Sequence, residues 1–334
     1  MKKSYKFISI LLFTFILSFT PLFSLSNEIL KVDLQQEFGI LHGSISEYVF
    51  EDVIRNTDNM ESRLDWDISA IPYTGLSAEF TLFKHFLVGI NGIIGIPVNS
   101  GKMQDYDWLN SIGGANGTHK DWIDEDPCEL TNYSIHDNHL DQYYRLNFEL
   151  GGNITPFDFL SISPVISYQY SIIQFSGSNG YKEYKDDNFI KQTFDGKVIS
   201  YAVETNSFCF GLKTDFTPLK CLNIDADVYY SPKLTYIETL DRHFLGSVAF
   251  YDKINGTSLV RTDLNIQYVF KEAHRLGVKC GFEYIPVSCG QDYQKPLDRD
   301  GNPNKTFSWG NPTGAEGGVS ETLWNWSVIY TCRF

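Results

Sequence analysis

Asp241 and His243 stand two apart in the string ETLDRHF, residues 238–244. On an extended chain, residues i and i+2 project to the same face. A carboxylate so placed can orient an imidazole and stabilise its cation, which is the equipment of a general base. Asp105 and Asp107 repeat the spacing in GKMQDYDWLN, residues 101–110. Strand rise sets such side chains about 7 Å apart. Two nearby carboxylates tend to share a proton near neutrality, and such a pair can hold a water or stabilise a developing oxyanion. Neither string decides alone. Short acid-x-His strings arise by chance, and loop aspartates are commonly just solvated. A calcium loop is the rival use of the acids, but the DxDxDG run is missing.

The elements that would position these groups are legible in hydropathy. The N-terminus carries Lys2, Lys3 and Lys6, an apolar run from Phe7 to Phe19, and small residues at Ser24 and Ser26. This reads as a secretory signal covering 1–26, too short and too interrupted for a spanning helix. The formal charge is −14, and the leader's three lysines put the mature part nearer −17. That balance carries no basic footprint for nucleic acid and would steer cationic substrates. Six cysteines, Cys128, Cys209, Cys221, Cys280, Cys289 and Cys332, include no CxxC, so neither a zinc site nor a forced disulfide is expected.

The C-terminal LWNWSVIYTCRF alternates Trp324, Trp326, Val328, Tyr330, Cys332 and Phe334 with Asn325, Ser327, Thr331 and Arg333, with Ile329 as the exception. The same period of two recurs in YYRLNFELGG (143–152), CLNIDADVYY (221–230), TDLNIQYVF (262–270) and RLDWDISA (63–70). A membrane barrel turns the apolar side outward and keeps a polar lumen. On that reading Leu64, Trp66 and Ile68 face lipid, and Asp65 and Asp67 face the lumen. Ten segments are expected, near 30–47, 62–82, 86–99, 140–155, 159–176, 199–216, 221–238, 257–270, 275–290 and 319–334. The fold class is therefore all-β, a ten-stranded antiparallel transmembrane β-barrel, with 27–334 as one domain. Short turns alternate with long connections at 48–61, 100–139, 177–198, 239–256 and 291–318, which belong outside the cell. Many segments exceed the 9–11 residues a tilted strand needs to cross, so the wall should rise above the outer membrane and leave room for a cleft.

In order and placement, FGILHGSISEYVF, SRLDWDI, GKMQDYDW, SIHD and YSPKLTYIETLDRHF make the mature chain resemble the omptin outer-membrane proteases. The resemblance implies an aspartic-type endopeptidase facing the extracellular side, using no cofactor and no metal. Position by position, Asp105 and Asp107 match the family's aspartate couple, and Asp241 and His243 its Asp–His dyad. Ser134 and His136 match a Ser-x-His that shapes the cleft. A second Asp-Trp, Asp121-Trp122, competes for the couple, but MQDYDW supplies both acids. Glu47 matches one acid of the pocket for a basic side chain, and Met103 a cleft residue. Thr239 stands where the family's second pocket acid is expected, which puts strict dibasic preference in question. The family also depends on lipopolysaccharide, an outer-membrane lipid, held by an outward cluster. Tyr168 matches the start of that cluster, but Tyr170 and Ile172 replace an acid and an arginine, so lipopolysaccharide dependence is not expected. The competing readings are a non-catalytic barrel, such as an adhesin, and a passive pore. Inward Arg145, Lys213, Asp227 and Glu283 would plug the pore with ion pairs. Lipid hydrolysis lacks its Gly-x-Ser-x-Gly elbow.

Overall fold

The computed structural model describes residues 29–50, 60–108, 130–271 and 273–334. The expected leader at 1–26, the Asp121-Trp122 pair and Cys128 lie outside them. The strands are β1 (Leu30–Phe50), β2 (Met60–Leu82), β3 (Phe86–Gly95), β4 (Val98–Asp107), β5 (Asn132–Gly152), β6 (Ile154–Phe157), β7 (Leu160–Tyr184), β8 (Gln192–Thr193), β9 (Lys197–Leu219), β10 (Leu222–His243), β11 (Val248–Lys271), β12 (His274–Pro296) and β13 (Glu316–Arg333). β3 and β4 are two halves of one stave, broken at Ile96-Pro97, where proline has no N–H for the ladder. β6 and β8 are short companions of β7. Ten staves remain. All pairings are antiparallel, and β1 pairs with both β2 and β13, which closes the ring. The ten-stranded barrel is the fold that the alternation predicts.

Lengths follow from having two solvents outside one wall. β7 holds 25 residues, about 80 Å at a strand's rise, far beyond what a bilayer requires. In the half near the short turns, Phe148, Leu150, Phe210, Ile266, Val278 and Trp326 stand exposed in an apolar band. Their inward neighbours are polar and buried. Arg145 pairs with Glu283 at 2.9 Å, and Lys213 reaches Glu79 at 2.6 Å and Glu149 at 3.0 Å. Lys279 lies 3.4 Å from both Glu37 and Asp263. Buried charges are tolerated only when paired in this way.

Above the band the pattern inverts. Leu64, Trp66 and Ile68 are buried inside the barrel, and Asp65 and Asp67 lie on the outer wall. This corrects the reading that sent the apolar side of RLDWDISA to lipid. The wall here faces water, so binary patterning returns to that of a soluble protein, with apolar residues inward. A bulge permits the change: the β1–β2 register slips between Leu41 and Gly43, and Ala70 takes a positive φ of 54°. One extra residue moves every later side chain to the other face.

Two expected loops are also corrected. The span 100–139 narrows, because β4 runs on to Asp107 and β5 begins at Asn132. The span 239–256 is mostly strand, since β10 and β11 pair as far as His243↔Val248 around a turn at 244–247. Cross-strand hydrogen bonds, rather than loop conformation, therefore hold the chemical groups.

Candidate active site

β10 presents Thr239, Asp241 and His243 inward from its last turn-facing residues. Asp241 lies between Tyr201 of β9 and Phe250 of β11 in the register. His243 Nε2 is hydrogen-bonded to Asp241 Oδ2, and the Phe250 ring meets the imidazole edge-on at 5.5 Å. Burial opposes a charged imidazole. The Asp241 carboxylate and its hydrogen bond outweigh that effect, helped by Asp105 and Asp107, and push His243 up to about 9. The second carboxylate oxygen of Asp241 is buried without a partner.

Asp105 and Asp107 project from β4, held between β2 (Leu64↔Asp105) and β5 (Asp105↔Ser134). Burial pushes Asp105 well above the usual carboxylate range, and the charge of Asp107 adds to it. Burial also raises Asp107, against hydrogen bonds from Ser62 and Asn132. The charge of His243 acts on both acids in the opposite sense. The two i,i+2 pairs, on β4 and β10, are thus close enough for their charges to act on one another.

Behind the aspartates, Ser134 and His136 are buried on β5. His136 Nδ1 lies 2.5 Å from the Asn179 carbonyl, which only accepts, so Nδ1 carries the hydrogen. Burial holds His136 below its ordinary range and therefore neutral. Nε2 is left to accept from the Ser134 hydroxyl at 3.0 Å. Ser134 Oγ is also 3.3 Å from Asp105 Oδ2. Its one hydrogen is thus shared between two acceptors, His136 Nε2 and Asp105 Oδ2. The hydrogen bond from Ser134 favours the charged form of Asp105, against burial and the charge of Asp107.

The neighbouring pocket contains Glu47 and Met103, both buried, with Thr239. Its floor is an aromatic stack: Trp66 lies 5.7 Å from Phe175 and 5.8 Å from Tyr201, both near-parallel. Two further acids converge here that the sequence did not single out. Asp252 of β11 sits beside Thr239 in the register, and Asp292 of β12 beside Asp252. Burial pushes Glu47 well above the usual carboxylate range, with Asp241, Asp252, Asp105 and Asp292 adding repulsion. The period-two signal in FYDKIN (250–255) would have put Asp252 on the inner face with Phe250, but only if that stretch were read as strand.

The nine site residues named from the sequence thus gather at the long-loop end of the barrel. A separate cavity of about 820 Å³ lies in the lower lumen, lined by Asp33, Lys213, Asp225, Arg275 and Arg333 among others, and includes none of them. Among the described residues, no group of three His, Cys, Asp or Glu side chains is arranged to hold a metal. Among the described residues, Cys209, Cys221, Cys280 and Cys332 are free thiols.

Comparison with known proteins agrees with this architecture. The model of the Omptin family matches residues 28–311. A plasminogen activator of Yersinia pestis is 20% identical over 231 residues, covering 69% of this chain and 68% of its own. The crystal structure of the outer membrane protease OmpT from Escherichia coli shares 15% identity and superposes with a TM-score of 0.75. That superposition covers 91% of this chain and 97% of the other.

Proposed function

This chain belongs to the omptin family and is an outer-membrane protease, and from that premise we propose that it hydrolyses peptide bonds beside basic residues through an Asp–Asp couple and an Asp–His dyad. The observation that carries the reading is the meeting of the two pairs: Asp105 and Asp107 both feel the charge of His243 across the cleft. Residues 1–26 serve as the secretory signal, and the cleft faces the extracellular side.

The working base is neutral His243. It accepts a proton from a water as that water attacks the scissile carbonyl. Asp241, buried and bonded to the ring, orients the imidazole and stabilises the cation that forms. Asp105 and Asp107 hold the attacking water on the facing wall and share one proton. The Ser134 hydroxyl, backed by His136, donates to Asp105 and supports its charged form. The tetrahedral oxyanion is stabilised by hydrogen-bond donors and by imidazolium charge, interactions that strengthen in a cleft drier than bulk water. The imidazolium then gives its proton to the leaving amine, which returns His243 to the neutral form. Nothing becomes covalently attached to the protein, and the mechanism is of the aspartic type.

Acidic surroundings favour a cationic peptide or protein as substrate, recognised through Glu47 beside the cleft. The outer face at Tyr168, Tyr170 and Ile172 supports independence from lipopolysaccharide. Tyr168 donates to Asn206 at 2.7 Å and packs on Phe208 at 5.0 Å, while Tyr170 packs on Tyr144 at 6.1 Å. These side chains cover one another and lack the arginine that a phosphorylated lipid would engage at 172.

The test is digestion of a mixed peptide library by the refolded barrel in detergent, with and without added lipopolysaccharide. Cuts concentrated after Arg or Lys in both arms are expected. Cutting that appears only with lipopolysaccharide would remove the lipid-independent part of the proposal. A folded protein that cuts nothing in either arm would leave a non-catalytic binding barrel as the better reading.

A further inference from the structure

Position 239 holds threonine where a second pocket acid is expected, yet the pocket is more acidic than one carboxylate would make it. Thr239, Asp252 and Asp292 form a row across β10, β11 and β12, and are direct neighbours in the register. Like charges directly opposite one another on a sheet are destabilising, and burial multiplies the cost. Asp252 is 3% exposed and Asp292 is 6% exposed. The described residues offer neither of them a lysine or arginine within ion-pair distance.

The row is built rather than accidental. The Thr239 hydroxyl donates to Asp252 Oδ2 at 2.7 Å. Thr313 Oγ1 donates to Asp292 Oδ2 at 2.6 Å. Gly317 of β13 leaves the space that Asp252 occupies, since a Cβ there would lie 1.9 Å from Asp252 Oδ1. A separate observation comes from the other side of the pocket. Glu47, on β1 and 3% exposed, aims Oε2 into the same space without any hydrogen-bond partner. Oxygens from β1, β11 and β12 therefore converge on one space, with Asp252 and Asp292 hydrogen-bonded to each other beside it. Their arrangement is not that of a metal site, so a flat guanidinium or an ammonium on a flexible stem is the group that fits.

We propose that Asp252 supplies the second carboxylate of the pocket for the basic side chain, with Thr239 as its positioning residue and Asp292 as a third acid behind it. The acid has moved one strand along, from β10 to β11, while its carboxylate still reaches the pocket that residue 239 borders. The inference rests on the protease reading for its biological meaning, but the pocket itself can be tested without catalysis.

The probe is butylguanidinium, compared with its neutral isostere butylurea, titrated calorimetrically into the full refolded barrel. Wild type should bind the cation and not the urea. D252N should weaken the cation at least tenfold. T239V, which keeps the shape and removes the hydroxyl, should weaken it severalfold and serves if D252N does not refold. Equal affinity in wild type and both variants, or no cation binding by wild type, would overturn the proposal. Paired peptides with Arg or citrulline before the bond separate the two ideas. Cation binding as expected without cleavage of either peptide supports the pocket and counts against the protease reading. Cleavage with an Arg-to-citrulline preference unchanged in D252N overturns the pocket assignment.

Discussion

At the scale of single residues, the decisive property is the proton inventory of one cleft. Asp241 pushes His243 up to about 9, so in the resting protein the proposed base is occupied at neutral pH. On the proposed function, a basic substrate side chain would bring positive charge among the acids that hold that proton, which would lower the imidazole's affinity for it. The sign follows: a raised pKa means activity is lost as pH falls through it. The acid limb of kcat/KM, which reports the free enzyme, should therefore lie above the ordinary histidine value of about 6.5. The limb of kcat, which reports the bound complex, should lie below that of kcat/KM. Asp241→Asn removes the main support of the cation and should move the kcat/KM limb down by at least one pH unit while reducing kcat on the order of 10²–10⁴. A pH–rate series on wild type and this variant checks both; coincident limbs unmoved by the substitution would contradict the electrostatic account. The acids and the imidazole were legible in the sequence because i,i+2 spacing has a meaning on any extended chain. Asp252 and Asp292 were not. Their significance comes from neighbours 13 and 40 residues away, Thr239 and Asp252, that only strand register brings alongside.

At the scale of elements, the question is what keeps two walls at a working distance. The staves cross the apolar band and continue above it, where Trp66, Phe175 and Tyr201 fill the barrel beneath the cleft. Each aromatic contact contributes about 0.5–1.5 kcal/mol beyond burial, and removing the central ring from a packed site costs about 3–5 kcal/mol. Trp66→Ala should therefore leave the membrane-spanning half assembled but loosen the floor that spaces β2 and β4 from β9 and β10. Its expected signature is normal insertion, a lower melting temperature and a loss of cleavage rate larger than the loss of substrate binding. Unchanged activity at 37 °C would show that the floor does not set the geometry. Strand number was legible because alternation survives in both halves of each stave. The facing of RLDWDISA was not, since Asp65 and Trp66 alternate equally well on a wall against lipid or against water. The bulge at Ala70 decides between them, and alternation carries no signal of its position. Likewise, the polar stretches at 100–107 and 248–256 resemble loops because a strand above the membrane is allowed polar residues on its outer face.

At the scale of the whole molecule, one barrel divides its labour along its axis. The lower half satisfies the bilayer with an apolar belt and crosses its lumen with ion pairs such as Arg145–Glu283. The upper half behaves as a soluble protein with an apolar centre, and on the proposed function it carries the chemistry, where water and substrates are available. The central claim is that opposed carboxylate and imidazole pairs activate a water, with no protein nucleophile. Its most direct test compares peptide cleavage by the wild-type barrel with His243→Ala, Asp105→Asn and Ser134→Ala. We predict that the first two fall by at least about a hundredfold with folding intact. Ser134→Ala should stay within about tenfold of wild type, since its hydroxyl only supports the Asp105 carboxylate with one hydrogen bond. Full activity without His243, or activity lost entirely with Ser134, would contradict the account.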